Sequence, residues 1–490
     1  MIINLENKIA TGNCVLVVPI FEGESPKNLK ELPSKVPEFF AKVKENEEFL
    51  GKKGEKLYTY IEDKNLPEKL FLIGLGKKEN FKYRVAKETG AMIGKQLKAA
   101  KAKEATIFLP NEVKQFITEI LEGLLISQYE IDKLKTKFSK KDNHKIDKVK
   151  IFTKLDKSIV EEGLDKAKTM ADASDYIRDL VNYPSNIVDA TYLANEAKKI
   201  AKDNGYKIEV LGKKELEKIK AGGILAVNQA CRKEPKLVVL EYKGSKNKDE
   251  KPIAIVGKGI VFDTGGLRVK PGAHMDEMHQ DMAGAAVVLG LFKVLKKLNI
   301  KKNVVGVVAL AENSLGSDAY KPSDIITMLS GLTVEINNTD AEGRVVLGDA
   351  VTYSIKYKPK SIVTIATLTG AVYVALGHKY SGLIANNSKI RRELLQAGRE
   401  SDDLGWPLPL HPEYKKAMDS KYADVRNNDK ETASAAGSSK GAAFIERFVG
   451  KNDWCHIDIA GTAFTDRPKP YETLGATSSG FYMLLRYLEK

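Results

Sequence analysis

Apolar and polar positions follow one another along the chain in the way that is typical of α/β proteins, with short apolar runs between longer amphipathic stretches. Residues 14–20 and 70–76 are apolar runs that predict strands buried on both faces. Helical patterns cover 83–102 and 111–127, and the segment 148–152 predicts a closing strand. We therefore predict a small α/β domain over the first 157 residues.

A second and larger domain is predicted after a connecting helix. Residues 158–181 are charged and periodically apolar, which indicates that helix, and the remaining chain, 182–490, alternates strand and helix patterns again. Its strands are predicted at 207–211, 237–242, 252–257, 303–311, 361–367 and 455–459, and its helices at 190–204, 281–299, 344–357 and 440–449. This order predicts a mostly parallel central sheet covered by helices.

The composition agrees with two globular domains and with a cytoplasmic protein. The chain has 490 residues, 43% of them hydrophobic and 29% charged, and it is too long for one compact core. No apolar run is long enough to span a bilayer, and no signal-peptide pattern opens the sequence. The cysteines Cys14, Cys231 and Cys455 are far apart without metal-type spacing, which predicts inert thiols in a reducing compartment.

The net charge of +14 raises the question of a nucleic-acid partner. The excess is mostly lysine, spread over surface stretches such as 95–103, 133–150 and 293–302. No basic block interleaved with aromatic residues and no nucleic-acid motif accompanies it. Solvated lysine faces are therefore favoured, and a second, nucleic-acid-binding role stays open as an alternative.

The heptad 338–344, Asn-Thr-Asp-Ala-Glu-Gly-Arg, places two carboxylates between two regular elements. The segment 332–336 before it alternates as a strand does, and a helix is predicted after it. Asp340 and Glu342 would then lie in a strand-to-helix loop, where α/β folds keep their sites.

A second acidic cluster follows the strand predicted at 252–257. Asp263 lies in a glycine-rich segment, and Asp281 is expected to open an apolar helix. Together with Asp340 and Glu342, these carboxylates can converge from three loops, each after a strand of the same sheet. Four unpaired carboxylates would repel one another strongly, and two divalent cations would balance their charge. Residue type alone leaves zinc, manganese and magnesium open.

Three basic residues in the same segments also suit such a site. Lys258 could be a metal ligand only as a neutral amine, which desolvation and the adjacent metal charge would favour. Lys270 could stay charged and stabilise an oxyanion on a metal-bound carbonyl. Arg344 has a planar, permanently charged group that suits a carboxylate or carbonate.

These motifs closely resemble those of the leucine aminopeptidases, which are cytosolic two-metal exopeptidases. The likeness is carried by 256–266, 275–282 and 338–344, and it runs from about 178 to 477 with 366–371 and 456–462 included. The N-terminal domain, 1–157, resembles the family only through its α/β pattern. It carries no catalytic motif, and we expect it to serve assembly or regulation.

The resemblance implies a ligand set for two metal ions per subunit, zinc or manganese or else magnesium. Asp263 and Glu342 would bridge both ions. Asp340 would complete one site, and Lys258 with Asp281 would complete the other. The domain 182–490 would then be the catalytic two-metal peptidase domain.

The resemblance also implies a reaction. Lys270 would polarise the substrate carbonyl, and Arg344 would hold a bicarbonate ion that acts as general base for a metal-activated water. The pocket for the N-terminal side chain would be lined by Met278, Thr367, Gly370, Ala460 and Ala463. The implied protein is a leucyl aminopeptidase that releases leucine or similar apolar residues from peptides with a free N-terminus, as a homohexamer.

Some positions depart from the family pattern. Asn337 stands where an apolar residue is usual, Thr264 replaces the commoner serine and Ala283 a common glycine. The composition of the loop 432–441 also differs from the family pattern. None of these is an implied ligand, so the departures bear on substrate preference rather than on activity.

Two other hydrolase sites are weighed against this interpretation. Residues 437–441 match the G-x-S-x-G spacing with Ser439 as nucleophile, but the preceding residues are small and polar, which favours a flexible loop. His274 and His279 lack the H-E-x-x-H spacing of a zinc site. A non-enzymatic protein on the same scaffold would be expected to have lost a ligand or a catalytic lysine, and all seven implied functional residues are present.

Overall fold

The computed structural model describes residues 1–131, 133–136, 145–247, 249–429 and 435–490. The chain forms two compact units, the first of Met1–Asp172 with Pro468–Thr473 and the second of Ala173–Arg467 with Leu474–Lys490. In the described part of the chain, no helix combines the length and the apolar character that crossing a membrane requires. A helix, Lys157–Asn182, lies where the connecting helix was predicted. The separate functions predicted for the two domains stay a prediction.

The first unit is built on a six-stranded sheet. Its elements are β1 (Ile2–Leu5), β2 (Gly12–Phe21), α1 (Lys35–Glu45), β3 (Lys56–Tyr60), β4 (Pro67–Gly76), α2 (Tyr83–Ala99), β5 (Glu104–Phe108), α3 (Ile117–Ile126), β6 (Lys148–Phe152) and the start of α4 (Lys157–Asn182). The strand order is β1-β6-β5-β2-β4-β3, and only the β3–β4 pair is antiparallel. The predicted small α/β fold is confirmed.

The second unit is built on an eight-stranded sheet. Its helices after α4 are α5 (Ala190–Asn204), α6 (Lys213–Lys218), α7 (Gly222–Asn228), α8 (Ala283–Val294), α9 (Glu342–Ser354), α10 (Gly370–Leu376), α11 (Ser388–Ser401), α12 (Pro412–Lys416), α13 (Gly437–Glu446) and α14 (Phe481–Glu489). Its strands are β7 (Lys207–Leu211), β8 (Lys236–Lys243), β9 (Ile253–Asp263), β10 (Asn303–Asn313), β11 (Ile325–Thr327), β12 (Thr333–Glu335), β13 (Ser361–Ala366), β14 (Ser381–Ala385), β15 (Gly405–Pro407), β16 (Val425–Arg426), β17 (Asp453–Asp458), β18 (Phe464–Thr465) and β19 (Gly475–Ala476).

The central sheet has the order β15-β14-β17-β13-β9-β10-β8-β7. Its middle strands β17, β13, β9 and β10 are parallel, and antiparallel pairs join β14 to β17 and β8 to both of its neighbours. This confirms the prediction of a mostly parallel sheet covered by helices. The parallel middle matters most, because the carboxyl ends of these strands open at one edge.

The strand β9 is longer than predicted, and this changes where two site residues lie. The sequence placed Lys258 and Asp263 in a loop, whereas both belong to the strand, which pairs with β10 from Ile253 to Asp263. Gly257, beside Lys258, serves helix packing instead. A Cβ on Gly257 would lie 2.6 Å from the carbonyl oxygen of Gly284 in α8, so only glycine allows this close approach.

The heptad 338–344 also differs from its prediction. The strand before it, β12, belongs to a separate three-stranded sheet with β11 and β16, so the prediction that all the acidic loops follow one sheet was wrong. Glu342 is the first residue of α9. The predicted helix at 281–299 is shorter, since α8 ends at Val294.

Candidate metal centre

Lys258 projects from β9 and meets two carboxylates, one at the start of α9 and one just before α8. Its Nζ lies 2.8 Å from Asp281 Oδ2 and 3.0 Å from Glu342 Oε1, and it donates to the carbonyl oxygen of Thr367 at 2.9 Å. A Cβ on Gly343 would lie 2.5 Å from Lys258 Nζ, so the glycine of the heptad leaves room for the ammonium group. The side chain is almost completely buried.

Lys270 meets the other two carboxylates. Its Nζ lies 2.8 Å from Asp263 Oδ2 and 2.6 Å from Asp340 Oδ1. Asp263, Asp340 and Glu342 each offer a ligand oxygen, and these three atoms lie within 4.8 Å of one another. The structure thus brings together all four predicted carboxylates and both predicted lysines.

The cluster holds more negative than positive charge, and the pKa values reflect this. Burial raises the pKa of Asp281 to about 8, and Glu342 and Asp263 add to the effect while Lys258 opposes it. Burial likewise raises the pKa of Asp340 to about 7, with Glu342 and Asp263 contributing. Burial by itself would lower the pKa of Lys258, but Asp281 and Glu342 outweigh it and hold the pKa above its usual value.

This donor set fits divalent cations. Glu342 Oε2 is buried and, within the described ranges, has no hydrogen-bond partner. Carboxylate oxygens are hard ligands that suit zinc, manganese or magnesium, and cations would replace the protons that Asp281 and Asp340 otherwise hold. Lys258 could join them only after losing a proton from Nζ.

We expect cation affinity to depend on pH. Between pH 8 and pH 6 the affinity for Mn²⁺ should fall by about tenfold or more, because protons on Asp281 and Asp340 must leave before a cation binds. A titration of metal-free protein in competition with a metal-sensitive dye measures this. An affinity that does not change over this range would contradict the expectation.

The same raised pKa values predict how the metal-free protein responds to pH. The folded state binds more protons than the unfolded state between the usual carboxyl pKa and about pH 8, so these groups make the free energy of unfolding fall as the pH rises through that window. Thermal unfolding with and without Mn²⁺ separates this contribution, since bound cations remove it.

Arg344 is the third residue of α9, in its first turn beside this cluster, and is buried. Nη1 donates to the carbonyl oxygen of Asn427 at 3.0 Å, while Nε is buried without a hydrogen-bond partner among the described residues. Burial lowers the pKa of Arg344 to about 10, against the opposing effect of Glu342. A buried guanidinium with a free N–H suits a bound oxyanion. Arg344 and Asp340 also line a cavity of about 740 Å³.

The five residues expected to line the pocket for the N-terminal side chain differ in burial and in what they contact. Thr367 is buried, and its hydroxyl donates to Asp281 Oδ1 at 2.7 Å. Gly370 begins α10 and lines the cavity. Met278 and Ala460 are half-buried, and Ala463 is buried. The pocket role of these five residues stays a prediction.

Two asparagines support the site and were missed by the sequence analysis. Asn313 Nδ2 donates to Asp263 Oδ1 at 2.7 Å and to the carbonyl oxygen of Thr339 at 2.9 Å. Asn427, fully buried, accepts from the backbone N–H groups of Asn337 at 2.8 Å and of Asn338 at 3.2 Å, and its Nδ2 donates to the carbonyl oxygen of Asn338 at 2.6 Å, which holds the start of the heptad. Each is distant in sequence from what it supports, and no motif marks either of them.

The structure corrects the environment expected for Asp281. It follows a 3₁₀ turn, Met278–Gln280, and precedes the first residue of α8 by two positions, so it does not open the helix. Its Oδ1 accepts from Thr367 instead of capping α8. Its carboxyl group is held by side chains of neighbouring elements, because Lys258 reaches it from β9 and Thr367 from the turn after β13.

Two of the positions that depart from the family pattern form hydrogen bonds with residues distant in sequence. Asn337 Nδ2 donates to the carbonyl oxygen of Asn428 at 2.9 Å, and Thr264 Oγ1 donates to that of Asn313 at 3.0 Å. Ala283 is the buried first residue of α8. Of the loop 432–441, residues 432–434 lie outside the described residues.

The segment 437–441 is not the flexible loop that the sequence predicted. All five residues lie in α13, and Ser438 and Ser439 are buried. A G-x-S-x-G nucleophile elbow needs its serine on a strand-to-helix turn, whereas Ser439 is the third residue of a helix. The geometry therefore does not support the serine hydrolase alternative.

The two histidines considered for a zinc site remain apart from the carboxylates. His274 is exposed, and the ring of His279 meets that of Phe464 edge-on at 6.1 Å between centroids. Within the described ranges, the group of side chains that could hold a metal contains neither histidine. The carboxylate cluster is thus the candidate metal centre.

Family models match both parts of the chain. Residues 175–485 match the model described as the cytosol aminopeptidase family, catalytic domain. Residues 17–138 match the model for the N-terminal domain of the same family. All the residues of the carboxylate cluster fall within the first match.

Curated relatives are similar over most of their length. A cytosol aminopeptidase of Pseudomonas aeruginosa is 40% identical over 450 residues, which cover 89% of this chain and 88% of the relative. A probable cytosol aminopeptidase of Nitrosococcus oceani is 38% identical over 486 residues, 96% of this chain and 95% of the relative. Among solved structures, the bottromycin maturation enzyme BotP in complex with Mn has a TM-score of 0.84 at 24% identity, covering 98% of this chain and 99% of that chain, which shows the shared fold.

Proposed function

Because this chain belongs to the cytosol aminopeptidase family and is a metal-dependent aminopeptidase, we propose that it releases N-terminal leucine or similar apolar residues from peptides. The observation that carries the proposal is the cluster of four carboxylates and two lysines, four of them buried and two half-buried, at the carboxyl edge of the central sheet. Burying so many charged groups costs free energy unless bound cations neutralise the excess negative charge.

We propose two cations per subunit, zinc or manganese or else magnesium. Asp263 and Glu342 would hold both ions, with Asp340 completing one site and Lys258 with Asp281 the other. The proximity of the three oxygens from Asp263, Asp340 and Glu342 supports the first site. The short distances from Lys258 to Asp281 and Glu342 support the second. When bound, divalent cations supply Lewis acidity and lower the pKa of water.

The protein's own side chains would contribute the remaining steps. Lys270 keeps its proton because its pKa is raised by Asp263 and Glu342 against the effect of burial, so its Nζ can donate to the carbonyl oxygen that gains negative charge. Arg344 would hold a bicarbonate ion as general base, and its buried, unpartnered Nε supports this. The peptide's free α-amine would lie on the side of Lys258 and Asp281.

The substrate preference, location and assembly belong to the same proposal. Met278, Thr367, Gly370, Ala460 and Ala463 would receive the N-terminal side chain. Their mostly small or apolar character suits leucine, although discrimination among apolar side chains is shallow. We place the protein in the cytoplasm, as the names of its relatives suggest, and expect a homohexamer in which the first unit serves assembly. Mass measurement of the native protein tests the hexamer.

Hydrolysis of leucine p-nitroanilide tests the activity. After exhaustive chelation we expect no cleavage, and Mn²⁺ or Zn²⁺ should restore it, because the carboxylates cannot activate water without a cation. The N-acetylated substrate is the matched control and should stay uncleaved. Cleavage that resists chelation, or equal cleavage of the blocked substrate, would contradict the proposal. Inhibition by serine-directed reagents would instead support Ser439 as the nucleophile of a serine hydrolase.

A further inference from the structure

Asp458 is a fully buried carboxylate at the end of β17 that holds a short turn after the neighbouring strand β13. Its Oδ1 accepts from the backbone N–H groups of Leu368 and Thr369 at 3.1 and 3.4 Å and from that of Ala460 at 3.2 Å. Its Oδ2 accepts from the Thr369 hydroxyl at 2.6 Å. One side chain thus fixes the backbone and a side chain of the turn 367–369.

The same turn holds two of the proposed metal ligands. The carbonyl oxygen of Thr367 accepts from Lys258 Nζ at 2.9 Å. The hydroxyl of Thr367 donates to Asp281 Oδ1 at 2.7 Å. A shift of this residue would therefore move both side chains at once.

We propose that Asp458 is a positioning residue that sets the cation affinity of the Lys258–Asp281 site through Thr367. This inference rests on the proposed two-cation function. Groups that orient metal ligands typically account for 10–100-fold in metal affinity. The effect should be large here because the long lysine side chain must present Nζ in one orientation, and Thr367 supplies that constraint.

The site that Asp340 completes has separate support, which makes the effect of Asp458 selective. Asp263 is oriented by Asn313 Nδ2 at 2.7 Å and by the backbone N–H of Gly265 at 2.9 Å. The backbone N–H of Asp340 donates to Asn338 Oδ1 at 2.9 Å. None of these contacts passes through the turn 367–369, so loss of Asp458 should weaken one of two cations.

The decisive variant is Asp458→Asn, which keeps the shape but removes the negative charge on which three backbone N–H groups and the Thr369 hydroxyl converge. Metal-free protein is titrated with Mn²⁺ in competition with a metal-sensitive dye. We expect the wild type to bind two equivalents of Mn²⁺. In the variant, the affinity for one equivalent should fall by about 10-fold or more, and the affinity for the other should stay within about twofold of the wild-type value.

Asp349→Asn is the matched control. Asp349 is equally buried and also accepts backbone N–H groups, from Ile224 at 2.9 Å and Leu329 at 2.8 Å, but it lies two turns beyond Glu342 in α9. We expect this variant to lose thermal stability, as Asp458→Asn should, and to bind both equivalents as the wild type does. A general effect of replacing a buried carboxylate is thereby separated from positioning.

Thr367 provides a second variant should Asp458→Asn fail to fold. Thr367→Val removes the hydroxyl and should weaken the same equivalent, whereas Thr367→Ser keeps the hydroxyl and should restore its affinity. If Asp458→Asn bound both equivalents with unchanged affinity, or with equally lowered affinity, the proposed role of Asp458 would be wrong while the proposed function would stand. A wild type that binds fewer than two equivalents would overturn the proposed function and this inference with it.

Discussion

Replacing Glu342 with glutamine is expected to abolish aminopeptidase activity, with kcat/KM falling on the order of 10³-fold or more, which corresponds to about 4 kcal/mol. Glu342 is, with Asp263, one of the two carboxylates shared between the proposed cation sites, and it lies 3.0 Å from Lys258 Nζ. An amide cannot carry the charge that offsets a cation, so both equivalents of Mn²⁺ should bind more weakly. Activity on leucine p-nitroanilide and Mn²⁺ titration of the same preparation measure the two effects.

The matched control for this substitution is Glu335→Gln. Glu335 is 3% exposed and Glu342 2%, but Glu335 belongs to β12 and its Oε2 accepts from the Ser420 hydroxyl, outside the cluster. We expect the control to keep both activity and cation binding. A Glu342→Gln enzyme that retains more than about a tenth of the activity would show that the cations do not depend on this carboxylate.

Replacing Lys270 with methionine should lower kcat by about 10²–10³-fold without loss of cations. The methionine side chain keeps much of the volume but removes the donor proposed to stabilise the oxyanion. Because Lys270 Nζ now neutralises Asp263 at 2.8 Å and Asp340 at 2.6 Å, its removal leaves these carboxylates more negative, and Mn²⁺ should bind at least as tightly as before. Steady-state kinetics and metal titration together check this.

Lys236→Met is the control for the loss of a partly buried, paired lysine. Lys236 Nζ lies 3.0 Å from Glu234 Oε2, and its side chain is 19% exposed against 14% for Lys270. We expect wild-type kinetics from this control. If Lys270→Met lost its cations, or kept kcat within about threefold, the proposed role of Lys270 in catalysis would be wrong.

The local pattern of the sequence determined most of the fold. Strands such as β7 and helices such as α5 occur at the bounds that periodicity predicted, because a strand or helix buries one face or both according to the spacing of its own apolar residues. Errors arose where a local signal was ambiguous. The strand predicted at 252–257 stopped short of Lys258, whereas β9 continues to Asp263 and Gly257 serves its contact with α8.

The sequence by itself determined the chemistry that is available: four carboxylates, two lysines and an arginine, all in segments that flank predicted strands and helices. Only the tertiary structure decided which of them pair, since Lys258 joins Asp281 and Glu342 while Lys270 joins Asp263 and Asp340.

The supporting residues Asn313, Asn427 and Asp458 were likewise visible only in the structure. They lie 50, 90 and 90 residues from the groups that they hold. Hydrogen bonds over such separations depend on strand register and on how loops meet at the edge of the sheet, and neither is encoded in the spacing of neighbouring residues. The sequence thus specified the reacting groups, and the packing of distant segments determined their geometry.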